Sequence, residues 1–192
     1  MTHSAPANPQ GKGITTLLQD WQQFQPEASA SLSVPKLLAE YFSSLLVLSA
    51  HFSFKPVRGR DYYLYYCRDQ WQLSMIEPEH WNEQKRGLYF GCCQLQSDMT
   101  WTINVTENFQ QCPALQTALQ AFQQQLASHL DNDTPIADTL PFYVEALPFY
   151  ARLCATGLAK SLSLSFDTLG MLEQPARQWL SVAKYNKGLP IL

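Results

Sequence analysis

Cys92 and Cys93 are adjacent. A thiol becomes a nucleophile when an imidazole, a cation or a helix N-terminus lowers its pKa. His51 and His80 are the imidazoles that would have to approach. Neighbouring residues in a strand, however, point to opposite faces. The two thiols therefore cannot share one site or one metal ion without a bulge. Two buried, small apolar residues are the simpler reading, because cysteine is among the most buried residue types.

Metal binding requires clustered ligands. His3, His51, His80 and His129 are scattered. Glu77, Glu79 and His80 lie close together, but on one loop with no second cluster, so no metal is expected. Asp131-Asn132-Asp133 matches a calcium loop only in its first three residues and lacks the central glycine and terminal glutamate. A helix stop followed by a cap explains it better. The phosphate-loop, dinucleotide, nucleophile-elbow and zinc-protease signatures are all missing. Gly11-Lys12-Gly13 is too short to cradle phosphate. No cofactor and no catalytic residue is expected, and the sequence leans away from an enzyme.

The remaining concentration of chemistry is aromatic. Tyr62, Tyr63, Tyr65, Tyr66 and Tyr89 combine a large apolar body with a polar tip, which suits interfaces. Gly91 lacks a side chain and would leave a shallow depression beside them. The loop from Glu77 to Gly87, with His80 and Trp81, would border this surface. A groove for a partner or ligand would then be formed by Tyr63, Tyr65, Tyr89, Gly91, Cys93, His80 and Trp81. The opposing reading is that C-terminal helices cover the face and its tyrosines are core or rim.

These residues need a scaffold. Met1 to Gly13 offers nothing to bury and reads as a disordered arm. Residues 14–192 read as one domain. Ile14, Leu17, Leu18, Trp21 and Phe24 form one stripe of an amphipathic helix over 14–24. Ser33 is the expected N-cap of a second helix over 34–52, with Pro35 in its first turn. That helix is apolar around more than half its circumference, which requires two packing partners. Four strands follow over 61–105 as an expected antiparallel meander, with tight turns at Arg68-Asp69-Gln70 and Gln96-Ser97-Asp98. Strands two (Trp71–Ile76) and four (Met99–Val105) alternate, the mark of half-buried strands. Strands one (Tyr62–Cys67) and three (Leu88–Leu95) are apolar on both faces, so something must cover or bind the second face. Helices are expected over 114–185: one from Ala114 to Leu130, a region from Ile136 to Leu162 restarting at Pro148, and a last one capped by Ser165 or Asp167. The fold class is α+β, a four-stranded antiparallel meander packed against N-terminal and C-terminal helices.

The ordered sequence Asp61-Tyr62-Tyr63-Leu64-Tyr65, Ser74-Met75-Ile76-Glu77-Pro78-Glu79-His80-Trp81, Tyr89-Phe90-Gly91 and Asp98-Met99-Thr100-Trp101 resembles the domain-of-unknown-function family 2452. Members of that family show a YYLY strand, an S-x-I-x-P-x-x-W segment, a G-x-Y/F-x-L strand and a D-x-S/T-W strand in this order. The match runs from about Ala50 to Trp101. His80 stands where the family pattern has an acidic residue, and Asn82 where it has glycine. The resemblance supports the fold and implies no activity, so no catalytic residue carries over.

Composition narrows the classes further. Charged residues make up 15% of the 192-residue chain, against about 25% in typical domains. Glutamine and serine fill the surface instead, which makes protein contact cheap to desolvate. The net charge is −3 with no run of lysine or arginine, which disfavours nucleic acid, whose phosphates demand a basic patch. No apolar run reaches the ~18 residues of a membrane span. Five cysteines, an odd number without a C-x-x-C pair or a preceding signal segment, read as free thiols in a reducing cytoplasm. Two functions are carried forward. The first is a non-enzymatic module that binds a protein partner or itself as a homo-oligomer. The second is a small-molecule-binding protein or enzyme with a pocket on the tyrosine-rich face.

Overall fold

The structure is a computed structural model that describes residues 19–26, 33–81, 87–141, 144 and 146–179. The arm over 1–13, the start of the 14–24 helix and the helix end near Tyr185 lie outside those residues. Residues 19–23 are helical, as the apolar stripe predicts. Phe24 closes that turn at 4% exposure, while Trp21 is 41% exposed.

Helix α1 spans Val34–Ser49, three residues short of the expected Phe52. Ser33 occupies the N-cap position, with proline in the first turn, but its side chain makes no capping bond. Leu37, Leu38, Tyr41, Phe42, Leu46, Val47 and Leu48 are buried. The doubly apolar helix finds its expected partners in the sheet on one side and the C-terminal helices on the other. Trp101 N–H donates to Ser44 Oγ at 2.8 Å. The Phe42 and Phe122 rings meet edge-on at 5.4 Å.

The sheet comprises β1 (Asp61–Cys67), β2 (Gln70–Ser74), β3 (Leu88–Leu95) and β4 (Trp101–Val105). It is four-stranded and antiparallel, and the α+β class is as expected. Its order, β2-β1-β3-β4, is not that of a meander. Two hairpins lie side by side, and β3 pairs with β1 instead of β2. Both β2 and β3 run antiparallel to β1. Between Ser74, opposite Tyr63, and Leu88, opposite Tyr66, the chain must therefore return the length of β1, which the long Glu77-to-Gly87 connection allows. The order also accounts for the composition: β1 and β3, apolar on both faces, are the central pair, and the alternating strands are the edges. Met75 and Ile76 fall beyond β2, 49% and 46% exposed. Met99 belongs to the β3–β4 turn with φ 70°, so β4 starts two residues later than the alternation suggested.

The β2 edge is closed by His51. Its N–H donates to the Trp71 carbonyl at 2.8 Å, and its carbonyl accepts from Leu73 N–H at 3.1 Å. Helix α2 spans Pro113–Leu130, and a short helix α3 spans Ile136–Thr139. Helix α2 stops here as expected, at Asp131. Asn132 makes a local turn: its Nδ2 donates to His129 O at 2.7 Å and its Oδ1 accepts from Thr134 N–H at 3.0 Å. The expected side-chain cap of the next helix is not formed, because Pro135 holds the N-cap position. Helix α4 restarts directly after Pro148 and runs Phe149–Thr168.

Ser165 and Asp167 do not cap a following helix; both sit in the last turn of α4. Ser165 Oγ donates back to Ser161 O at 3.0 Å. The stop is Gly170 at φ 65°. Met171 N–H reaches Phe166 O and Gly170 N–H reaches Asp167 O, both at 2.9 Å, the bonding pattern of a left-handed glycine C-cap. The chain resumes a helix at residues 176–179, where Trp179 packs 4.0 Å from Phe166 and 5.4 Å from Tyr41.

Candidate functional site: the tyrosine face

Paired residues on neighbouring strands share a face, so the register assigns each side chain. Tyr62 pairs with Cys93, Leu64 with Gly91 and Leu73, and Cys93 with Ile103. These face α1 and the core, where Tyr62, Leu64 and Cys93 are fully buried. Tyr63 pairs with Ser74 and Cys92, and Tyr65 with Gln72 and Tyr89. These form the outer face.

The expected surface is therefore brought together only in part. Tyr63, Tyr65, Tyr89 and Trp81 cluster: Tyr65–Trp81 centroids lie 5.0 Å apart, Tyr65–Tyr89 5.5 Å and Tyr63–Tyr89 6.4 Å. Gly91 and Cys93 lie on the opposite face. The cause is a one-residue irregularity between Leu64 and Tyr65: Leu64 pairs with Gly91, but Tyr65 pairs with Tyr89. Phe90 is the extra residue, and such a bulge resets the alternation. Strict alternation grouped Tyr89 with Gly91 and Cys93, whereas the thiol beside the tyrosines is Cys92. The signal was available, because a glycine inside a strand pattern marks a bulge.

The loop after β2 folds over this face. Pro78–His80 forms one 3-10 turn. Tyr65 O–H donates to the Ile76 carbonyl at 2.9 Å; with Trp81 above it, Tyr65 is wholly buried. Trp81 and the Ile76 carbonyl thus cover Tyr65 from the segment that follows β2. Tyr63 and Tyr89 stay half-exposed. Tyr63 O–H donates to Glu77 Oε1 at 3.0 Å, and Glu77 Oε2 lies 3.4 Å from His80 Nδ1. Glu77 thus joins Tyr63 to His80, a carboxylate that the sequence offered only as a failed metal ligand.

The electrostatics argue against nucleophilic chemistry. Desolvation first, and then Glu77 and Asp61, push the Tyr63 phenol up to about 12. Desolvation raises Tyr89 as well. Cys92 is pushed up to about 11, by desolvation and then by the Asp61 carboxylate. Burial raises Cys93 well above its ordinary value. Each shift favours the neutral form, whereas a nucleophile needs the anion. Among the described residues no group of three or more His, Cys, Asp or Glu side chains is placed to hold a metal ion. What the face offers is stacking area, phenolic hydroxyls and one carboxylate. Beside it an open cleft of ≈ 490 Å³ is lined by Pro78, Glu79, Leu88, Tyr89, Thr106 and Cys112, among others.

A family model described as Protein of unknown function (DUF2452) matches residues 34–125. That segment runs from α1 through the whole sheet into α2 and encloses the Ala50–Trp101 stretch. Neither the curated proteins nor the solved structures contain a match to this chain.

Proposed function

We propose that the chain is a non-catalytic binding module whose outer sheet face takes a protein surface, either a second copy of itself or another partner. The observation that carries this reading is the cluster of Tyr63, Tyr89 and Trp81, half-exposed, with Met75 and Ile76 exposed just beyond β2. Tyrosine and tryptophan in such a setting supply large contact area at small entropic cost. The neutral state of the nearby phenols and thiols supports binding over chemistry. The scarcity of cations argues against nucleic acid as the partner. All five cysteines are free, which fits a reducing, cytoplasmic setting. No helix among the described residues is long and apolar enough to cross a membrane.

Light scattering across a concentration series tests the self-association arm. A dimer that Tyr89→Glu returns to monomer supports it, and a strict monomer removes it. The cleft beside Tyr89 supports a second reading, a small-molecule site, since its volume falls in the range of about 300–1,000 Å³ typical of such sites. A thermal-shift screen against metabolites tests it, because a ligand of the folded state raises the melting temperature by mass action.

A further inference from the structure

A second concavity lies where the C-terminal end of α1, the β1–β2 hairpin and α2 converge. It is a trough of ≈ 790 Å³. Its body is apolar, with Leu45, Leu48, Phe122, Leu126, Leu147 and Trp71 in its walls. At His51, Gln70 and Trp71 it meets a smaller cavity of ≈ 370 Å³ whose wall includes Arg68. The two cavities share His51, Gln70 and Trp71 as a common wall, with hydrocarbon lining the larger and the Arg68 guanidinium lining the smaller.

Two features make that polar end a built one. The His51 backbone is fixed, because both of its polar groups bond to the β2 edge, and its side chain is exposed. Arg68 is held at a cost: Arg68 and Asp69 adopt φ 50° and 60° in the two-residue turn. Such turns ordinarily take Asn-Gly, because left-handed backbone strains residues with a Cβ. A strained, charged residue in the wall of a cavity motivates a functional reading. Arg68 makes no ion pair among the described residues. Asp69, the one carboxylate in the trough's wall, is engaged by the Tyr66 hydroxyl at 3.5 Å.

We propose that this trough binds an amphiphilic carboxylate, with its apolar body along Leu45, Leu48, Phe122 and Leu126 and its carboxylate received by Arg68 and His51. The guanidinium fork matches a carboxylate in geometry as well as charge. The trough's volume suits a ligand of metabolite size, within the range of about 300–1,000 Å³.

Calorimetric titration with decanoate, decanol and decyltrimethylammonium, each below its micellar concentration, tests the proposal. Decanoate should bind, with decanol weaker by about tenfold, the worth of one charge-assisted hydrogen bond. Arg68→Ala should weaken decanoate to the level of decanol. Arg68→Gly should do the same while raising the melting temperature, since it removes the backbone strain; this result shows that lost binding is not lost folding. Ala121→Trp, on the exposed side of α2 where Ala121 lines the trough, should block binding sterically. No decanoate binding, equal binding of decanoate and decanol, tighter binding of the cation, or an Arg68→Ala variant that binds like the parent would each overturn the proposal.

Discussion

A Cβ placed on Gly91 would stand 2.5 Å from the Asn104 carbonyl oxygen. Gly91 lies in the bulge of β3, and the backbone of β4 closes onto it. The missing side chain is thus a requirement of sheet packing and not a depression in a binding surface. Gly91→Ala should cost about 2–3 kcal/mol, the upper part of the range for forcing an extra methyl group against rigid structure. The urea midpoint should fall with little change in slope. A midpoint equal to that of the parent would show that β4 can yield without loss.

The sheet itself was legible because hydrophobic alternation reports burial. Strands with one apolar face are edges, and strands with two are central; β1 and β3 follow that rule. The pairing order was not legible, because a long loop such as Glu77-to-Gly87 permits either neighbour. At the tyrosine face, Tyr63, Tyr65 and Trp81 were placed together correctly by period two and by sequence proximity. Gly91 and Cys93 were misplaced because a single inserted residue reverses every side chain beyond it. The His51 bridge to Gln72 and the trough at Arg68 carry no sequence pattern, since they arise where segments distant in sequence meet.

The N-terminal segment docks through another glycine. A Cβ on Gly157 would lie 2.5 Å from the Phe24 carbonyl and 3.0 Å from Met99. Lys55 pairs with Asp20, Arg58 reaches the Gln25 carbonyl, and Lys160 Nζ bonds to Gln25 Oε1 at 3.0 Å. In an ordinary helix Gly→Ala gains about 1 kcal/mol. Gly157→Ala should reverse that sign, because the methyl group displaces residues 19–26 from α4. Faster amide exchange at Phe24 and earlier protease cleavage near Trp21 are the expected signs. An unchanged exchange rate with higher stability would refute the docking role.

Thiol reactivity should follow burial. Cys93 and Cys154 are fully buried, and burial raises both pKa values. They should resist iodoacetamide until the protein unfolds. Cys92, pushed up to about 11, is at pH 8 ionised in only about one molecule in 1,000. Half-buried Cys67 and Cys112 should label ahead of it. Peptide mass mapping over time gives the order directly, and early modification of Cys92 would reveal an activation that the static geometry lacks.

Glu40 on α1 offers a stability test with a defined pH sign. Burial first, and then the negative charge of Asp98, raise its carboxyl above the ordinary 4.5, with Lys36 opposing. Lys36 Nζ stands 4.0 Å from Oε1, and buried Oε2 has no hydrogen-bond partner among the described residues. A raised folded pKa means that the folded state holds the proton more tightly. This contribution is fully present below the unfolded value and is lost as pH rises through the folded one. Glu40→Gln keeps the shape and removes the charge. It should be more stable than the parent at pH 7, by less than about 1 kcal/mol given the group's partial exposure. The difference should shrink as pH falls toward 4, where the parent is protonated too. Urea unfolding at both pH values checks this, and a variant less stable than the parent at pH 7 would show that Lys36 outweighs burial and Asp98.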